Sequence, residues 1–397
     1  MAPTLLCLSH FSISPARHGG QIRVHHLLDC AAQAGFQVVH GAAVPAHQKS
    51  GTESLFLTLD GILSHQHLKD PLWRDYFLAA DLPASARARK WLGKIIRDKR
   101  PAIIQIDHPW LWPLAKAVLA EQPGGRLVYS SHNIEWRLKE EILAALGITN
   151  QAGAVEETRR LEYELAAAAD RVFAVTREDQ AELAAHAARP VLLAPNGTRP
   201  KHRGYFAGAF PAALPRPPER YVLYVGSAHL PNLTGFRKLV TSGLAQAPAN
   251  GKIIMAGEVV HLFNQAIAAG QVPAEVASRV IKLPKVTNPE LESLIDNSAG
   301  VIIPLVAGGG SNLKTAEAIY SGRPVVATTK ALRGFESFAG QPGLFIHDTP
   351  EGFTRAIVGL LSAPPLEALY YPAQDQVLWS NSLKPIHDFY HSCKGDL

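Results

Sequence analysis

The chain has 397 residues, 47% apolar and 18% charged, a balance that fits a folded globular protein and excludes a disordered one. Its formal net charge of +5 suits an anionic ligand or surface, but no basic stripe interleaved with aromatics marks a nucleic-acid groove. Three widely separated cysteines, Cys7, Cys30 and Cys393, predict free thiols in a reducing compartment, and no run of about 20 apolar residues is available to span a bilayer.

Residues 4–8 read as a short apolar strand, followed by a polar turn through Ser14, Pro15 and His18 to Gly19 and Gly20. Ile22, Val24, Leu27, Leu28, Ala31 and Ala32 then recur at helical spacing, and residues 36–40 form a second strand. A basic helix over 86–99 leads to a strand at 102–106, and Trp110, Trp112 and Leu114 open another helix. A strand at 126–130 ends in Ser131-His132-Asn133, a charged amphipathic helix covers 156–169, and strands follow at 171–175 and 191–194. Between 196 and 220 the prolines and glycines leave no periodic element, which predicts an interdomain linker.

The second half restarts with a strand at 221–225, a turn at Gly226-Ser227 and a helix from Pro231-Asn232. A strand at 252–256 closes on Gly257, a strand at 281–283 and a helix at 289–297 follow, and a strand at 300–304 feeds Gly308, Gly309 and Gly310. A helix from about Ser311 carries Lys314 and Glu317, then Gly322 and Pro324 precede another apolar strand. A last helix runs from about 380 to 392. Strands alternating with helices imply α/β architecture with parallel sheets covered on both faces, in two doubly wound domains.

The glycine triplet is the most chemically loaded stretch. Glycines let a backbone approach an oxyanion without Cβ clashes, and the helix start adds amide donors and the positive end of a dipole. A diphosphate is the natural guest, with Glu317 placed to accept from hydroxyls attached to it. Gly19, Gly20 and Arg23 sit at the first strand-to-helix turn, and His132 and Asn133 end a parallel strand, where functional groups collect. His65-x-His67 and His387-x3-His391 lack a completing cluster, so no metal site is expected. Neither a G-x-S-x-G elbow nor a Walker A sequence occurs.

The segment GGGSNLKTAEAIYSGRPVVAT resembles the nucleotide-sugar motif of GT-B glycosyltransferases of family 4, whose bacterial members often read GGGTRLKxLEAMAxGxPVVST. The resemblance implies two Rossmann-like domains facing a cleft: an acceptor domain over 1–200, with helix 379–397 packing back on it, and a donor domain over 217–378. It implies transfer of a sugar from a nucleoside diphosphate sugar to a hydroxyl acceptor, with retention, in bacterial glycan or glycoconjugate biosynthesis. Neither metal nor cofactor is implied beyond the donor.

In the family, the Glu aligned with Glu317 holds the ribose. The amides of Gly308, Gly309, Gly310, Ser311, Asn312 and Leu313, with Lys314, would stabilise the leaving diphosphate. SSHNIEWR is similar to the family's HN-x-E segment, whose His, here His132, sits beside the donor sugar. Gly20, Gly226, Ser227 and Gly257 fall at turns that approach the nucleotide. Gly19, Arg23, His108, Asn133 and the rest of the Asp107 to Trp112 segment would line the acceptor side. Asn196-Gly197 is similar to the family's PNG hinge.

Two departures stand out. The family's second Glu is Gly309 here, and the Gly-Arg and Lys clamp after the first donor-domain strand is replaced by Ser227 and AHLPNLTGFRK. They motivate an alternative, a non-catalytic GT-B protein that binds a nucleotide or glycan; an epimerase on the same scaffold is a further one. Expected partners are the nucleotide sugar and a glycan, lipid-linked or protein acceptor, with no nucleic acid. The expected location is the cytoplasm, including peripheral contact with the inner membrane face.

Overall fold

Short apolar runs such as IIQI, VLYV and IIMA can be buried only in a sheet covered on both faces, and the structure places each of them there. The structure, a computed structural model, describes residues 2–395 apart from 17, 52–53, 71, 202–207, 242–246, 365–370 and 372. Residues 202–207 of the predicted linker and the last two residues of the segment 379–397 therefore lie outside the described residues.

The chain divides into two compact units, Met1–Pro195 with Ser382–Leu397, and Asn196–Asn381. The first holds strands β1 (Thr4–Ser9), β2 (Gln37–Val44), β3 (Ser54–Thr58), β4 (Ile103–Asp107), β5 (Arg126–Ser130), β6 (Arg171–Ala174) and β7 (Val191–Leu193). They pair in the order β3-β2-β1-β4-β5-β6-β7, all parallel. The second holds β8 (Tyr221–Val225), β9 (Lys252–Ala256), β10 (Val280–Leu283), β11 (Gly300–Ile303), β12 (Val325–Ala327) and β13 (Leu344–Ile346), in the order β10-β9-β8-β11-β12-β13, again parallel. Both sheets reverse their winding once, between β1 and β4 and between β8 and β11, and crevices for ligands open at such switch points.

Alternation along β8 shows how the second sheet is buried. Val222 and Tyr224 join Phe236, Phe263 and Phe353 in one core layer, while Tyr221 and Leu223 join Leu294 and Ile319 in the other. In the first unit the helix Lys384–Gly395 completes the core with Ile386, Tyr390 and Cys393, and the Tyr390 hydroxyl donates to Gln105 Oε1 on β4. The single terminal helix expected from about 380 to 392 is in fact two, Trp379–Ser382 and Lys384–Gly395; Pro385, which lacks an amide donor, sits in the first turn of the second.

The linker expectation needs correction at its start. Thr198 N donates to Val377 O at 2.8 Å and Trp379 N to Thr198 O at 3.0 Å, so this stretch is bonded into the second unit. A Cβ at Gly197 would lie 2.7 Å from Trp379 N, which explains the glycine. Among the described residues no helix is long and apolar enough to cross a membrane.

Candidate functional site

In the second unit, β11 ends in a turn whose Gly308 and Gly310 have φ of 113° and 64°, conformations that favour glycine. The turn is clasped from several sides. Arg333 Nη2 donates to Gly308 O at 2.5 Å, and Asn196 bonds Ser311 twice, N to Oγ and Nδ2 to O, both at 2.8 Å. Thr315 Oγ1 donates to Ala331 O at 2.6 Å, tying the following helix to the loop after β12.

That helix is Leu313–Ser321, so it starts two residues later than the sequence suggested. The reason is local: Asn312 is its N-cap, and its Oδ1 accepts from Lys314 N at 3.0 Å. The amide of Lys314 is thereby satisfied within the helix, and donors for a ligand must come from Leu313 and the turn before it.

Lys314 is half-buried, and burial pushes its ammonium down to about 8 against the pull of Glu317. Its Nζ donates to Asn232 Oδ1 at 3.5 Å, and Asn232 in turn donates to Ser227 O at 3.0 Å. The loops after β8 and β11 are thus joined at the switch point of the second sheet. Glu317 Oε1 lies 3.7 Å from Lys201 Nζ. Gly226 and Gly257 sit back to back, where a Cβ on Gly257 would come within 2.4 Å of Gly226 O. Arg237 donates to Gln271 at 2.9 Å on an exposed helix face, away from any clamp.

In the first unit, the carboxyl ends of β1, β4 and β5 gather a cluster of imidazoles. His132 and His108 have ring centroids 4.2 Å apart, His108 and His10 4.8 Å, and Phe11 packs edge-on against His10, His18 and His108. His132 Nε2 lies 3.3 Å from Asp107 Oδ1, and Cys7 Sγ donates to Asp107 Oδ2 at 2.7 Å. Burial pushes the Asp107 carboxyl up, but the His132 and Cys7 contacts outweigh it and leave it at about 2. His132 is lowered to about 4 by burial and by His108. The pair is therefore a carboxylate facing a neutral ring, whose proton must sit on Nε2. His108 has φ 74° and ψ 150°, a costly conformation for a side-chain-bearing residue and one that clusters at functional sites. Asn133 Nδ2 donates to Glu135 Oε1 at 3.1 Å.

Two expectations fail here. Arg23 does not reach toward an acceptor; it is 1% exposed and donates to Ala194 O at 2.9 Å, inside the core. Trp110, Leu111 and Trp112 belong to the apolar core of the first unit, whereas Asp107 and His108 of that segment contact His132. Sequence reasoning missed Lys201, Arg333 and His10, which lie far from the motifs they serve. Among the described residues no group of three or more His, Cys, Asp or Glu is placed to hold a metal ion, and the three cysteines are free and buried.

These buried groups make stability pH-dependent. His10, His40 and His132 are lowered by burial from 6.5 to about 3, 4 and 4, so below pH 6.5 the unfolded chain binds protons that the folded one refuses. Their contribution is full above 6.5 and lost as the pH falls. Glu135 and Glu162 oppose them, raised by burial from 4.5 to about 7 and about 8, so the folded state holds protons that the unfolded one loses. Three histidines against two acids leave a net loss toward acid, whereas above 6.5 the acids are offset as the pH nears 8 by Lys314, whose folded form gives up its proton before the unfolded one does. Urea unfolding is therefore expected to show stability falling as the pH drops from 6.5 to 4.5; stability that stays constant or rises toward 4.5 would contradict the assignment.

Residues 17–202 match the family profile Glycosyltransferase Family 4 and residues 219–363 that of Glycosyl transferases group 1. Among solved structures, the chain is similar to sucrose-phosphate synthase from Thermosynechococcus elongatus, at 16% identity and TM-score 0.66, covering 99% of this chain and 97% of that one. It is also similar to Anabaena HepE in complex with UDP and glucose, at 15% and 0.62, covering 99% and 98%. The lipopolysaccharide outer core galactosyltransferase WaaB aligns at 12% and 0.60, covering 99% and 98%. No curated protein sequence matches the chain.

Proposed function

We propose, for a chain that belongs to glycosyltransferase family 4 and has the GT-B fold, that it moves a sugar from a nucleoside diphosphate sugar to a hydroxyl acceptor. The observation that carries this reading is the turn after β11: left-handed glycines, a helix start and the cations Lys314 and Arg333 together at a sheet switch point.

Breaking the sugar–phosphate bond leaves negative charge on the β-phosphate and positive character on the anomeric carbon. Amides of Gly309 to Leu313 and the Lys314 ammonium would meet the first charge, each preorganised before the bond breaks. Arg333 holds the turn in shape through Gly308 O and adds positive potential without a metal ion. Glu317 would accept from the ribose hydroxyls, exchanging Lys201 for the nucleotide. In the first unit, Asp107 fixes the neutral His132 ring so that it orients a sugar hydroxyl, while His108, Asn133 and Gly19-Gly20, which lie in the first turn of the helix Gly19–Gln33 and not in the expected loop, serve the acceptor. With attack on the face the diphosphate leaves, its own oxygen can take the acceptor proton, so the configuration is retained and no second carboxylate is needed.

HepE was solved with UDP and glucose, so uridine donors come first in a test. Incubation with UDP-, GDP- and ADP-hexoses and a panel of glycoside acceptors should release the nucleoside diphosphate and give a product with the donor's anomeric configuration by proton NMR. Inverted product would remove the retaining mechanism. Tight nucleotide binding without any turnover would make the protein a binding module instead.

A further inference from the structure

The chain's positive charge is concentrated in one place. Residues 86–100, ARARKWLGKIIRDKR, carry seven Lys or Arg and one Asp, a net +6, whereas the whole chain carries +5. The mildly basic protein is thus a nearly neutral one with a single strongly basic helix, Ala86–Lys99.

Its geometry turns that charge into a face. Ala88, Leu92, Ile95 and Ile96 are buried, and Arg87, Lys90, Lys94 and Arg97 recur at intervals of three, four and three along the exposed side. Arg89, Lys99 and Arg100 are exposed on its flanks. Asp98 is the one acidic residue of the helix, and it pairs with Lys94. Arg87 Nη2 donates to Thr58 O and Asp60 O at 2.6 and 2.5 Å, neutral acceptors that leave its charge intact and anchor the helix to the end of β3. That strand is the edge of the first sheet, and its Leu55 is 40% exposed.

We infer that this face docks on an anionic lipid bilayer. A row of cations on one side of a helix, next to an exposed leucine on a sheet edge, matches the chemistry of a negatively charged headgroup layer. A nucleic acid is the poorer fit, because the helix's one aromatic, Trp91, is half-buried and packs over Gly41, where an added Cβ would meet its ring at 3.3 Å, and so offers no stacking platform along the stripe. The inference stands apart from the proposed transfer chemistry, since none of these side chains belongs to either site described above.

The test is co-sedimentation of the full chain with vesicles of phosphatidylcholine alone or mixed with phosphatidylglycerol. Binding is expected only with phosphatidylglycerol and should collapse at high salt, where the screening length falls to about 3 Å. The double substitution Arg89→Glu/Lys90→Glu should weaken it about tenfold or more without shifting the thermal midpoint, while Lys238→Glu, exposed in the second unit, should not. Equal binding to neutral vesicles, no binding to either kind, or indifference to Arg89→Glu/Lys90→Glu would overturn the inference. So would an oligonucleotide that binds through the same residues more tightly than vesicles do.

Discussion

Lys314→Ala is expected to lower kcat/KM for the nucleotide sugar by about 100- to 1,000-fold, the usual loss when one preorganised donor to a developing oxyanion is removed. The half-buried ammonium is held by Asn232 across the two central strand ends, so its charge is fixed before substrate arrives. Glu317→Ala should act differently, raising the dissociation constant for nucleoside diphosphate by about tenfold or more through loss of a charged acceptor. Its ion pair with Lys201 is partly exposed and contributes at most about 1 kcal/mol to folding, so both variants should unfold close to wild type. Calorimetry and steady-state kinetics separate the two effects. Unchanged kcat/KM in Lys314→Ala, together with unchanged affinity in Glu317→Ala, would move the diphosphate elsewhere.

Gly235→Ala should be among the most destabilising single substitutions in the second unit. Gly235 lies in the helix Leu230–Val240, and a Cβ there would sit 1.7 Å from Pro304 O, a backbone atom just beyond β11. Neither helix nor strand end can yield as a flexible side chain would, so the helix must move away from the sheet and open the Phe236 and Leu239 core. A loss of about 3 kcal/mol or more is expected, read as a lower urea midpoint. The same displacement would pull Asn232 from Lys314, so residual folded protein should bind nucleotide weakly. A variant as stable as wild type would show that the close approach of helix and strand end is absent in solution.

The sequence was most legible where one physical signal dominated. Tyr221–Val225, Lys252–Ala256 and Arg126–Ser130 are continuous apolar or β-rich runs, and their predicted bounds coincide with those observed. The edge strands Ser54–Thr58 and Leu344–Ile346 are short and partly exposed, so they carry too little apolar pattern to stand out. Helices such as Glu135–Ala145 and Arg177–Ala184 were passed over because their charged faces mask a narrow buried stripe.

For the candidate site, the glycine turn and Glu317 were visible as a local motif, but the partners that hold them were not. Lys201 and Arg333 arrive through tertiary folding from segments with no pattern of their own. Arg23 was readable in principle. It shares a helix face with Leu27, Cys30 and Ala31, the spacing of a buried stripe, and that signal was outweighed by the resemblance of Gly19-Gly20-x-x-Arg23 to a substrate turn.

The most direct test of the whole account is a titration of selectively glycine-labelled protein with a nucleoside diphosphate, followed by amide NMR. The amides of Gly309 and Gly310 are expected to shift strongly and saturate with the binding isotherm, and Glu317→Ala should displace the curve to higher concentration. Saturated nucleotide binding that leaves those amides unmoved would contradict the claim that this turn grips the diphosphate.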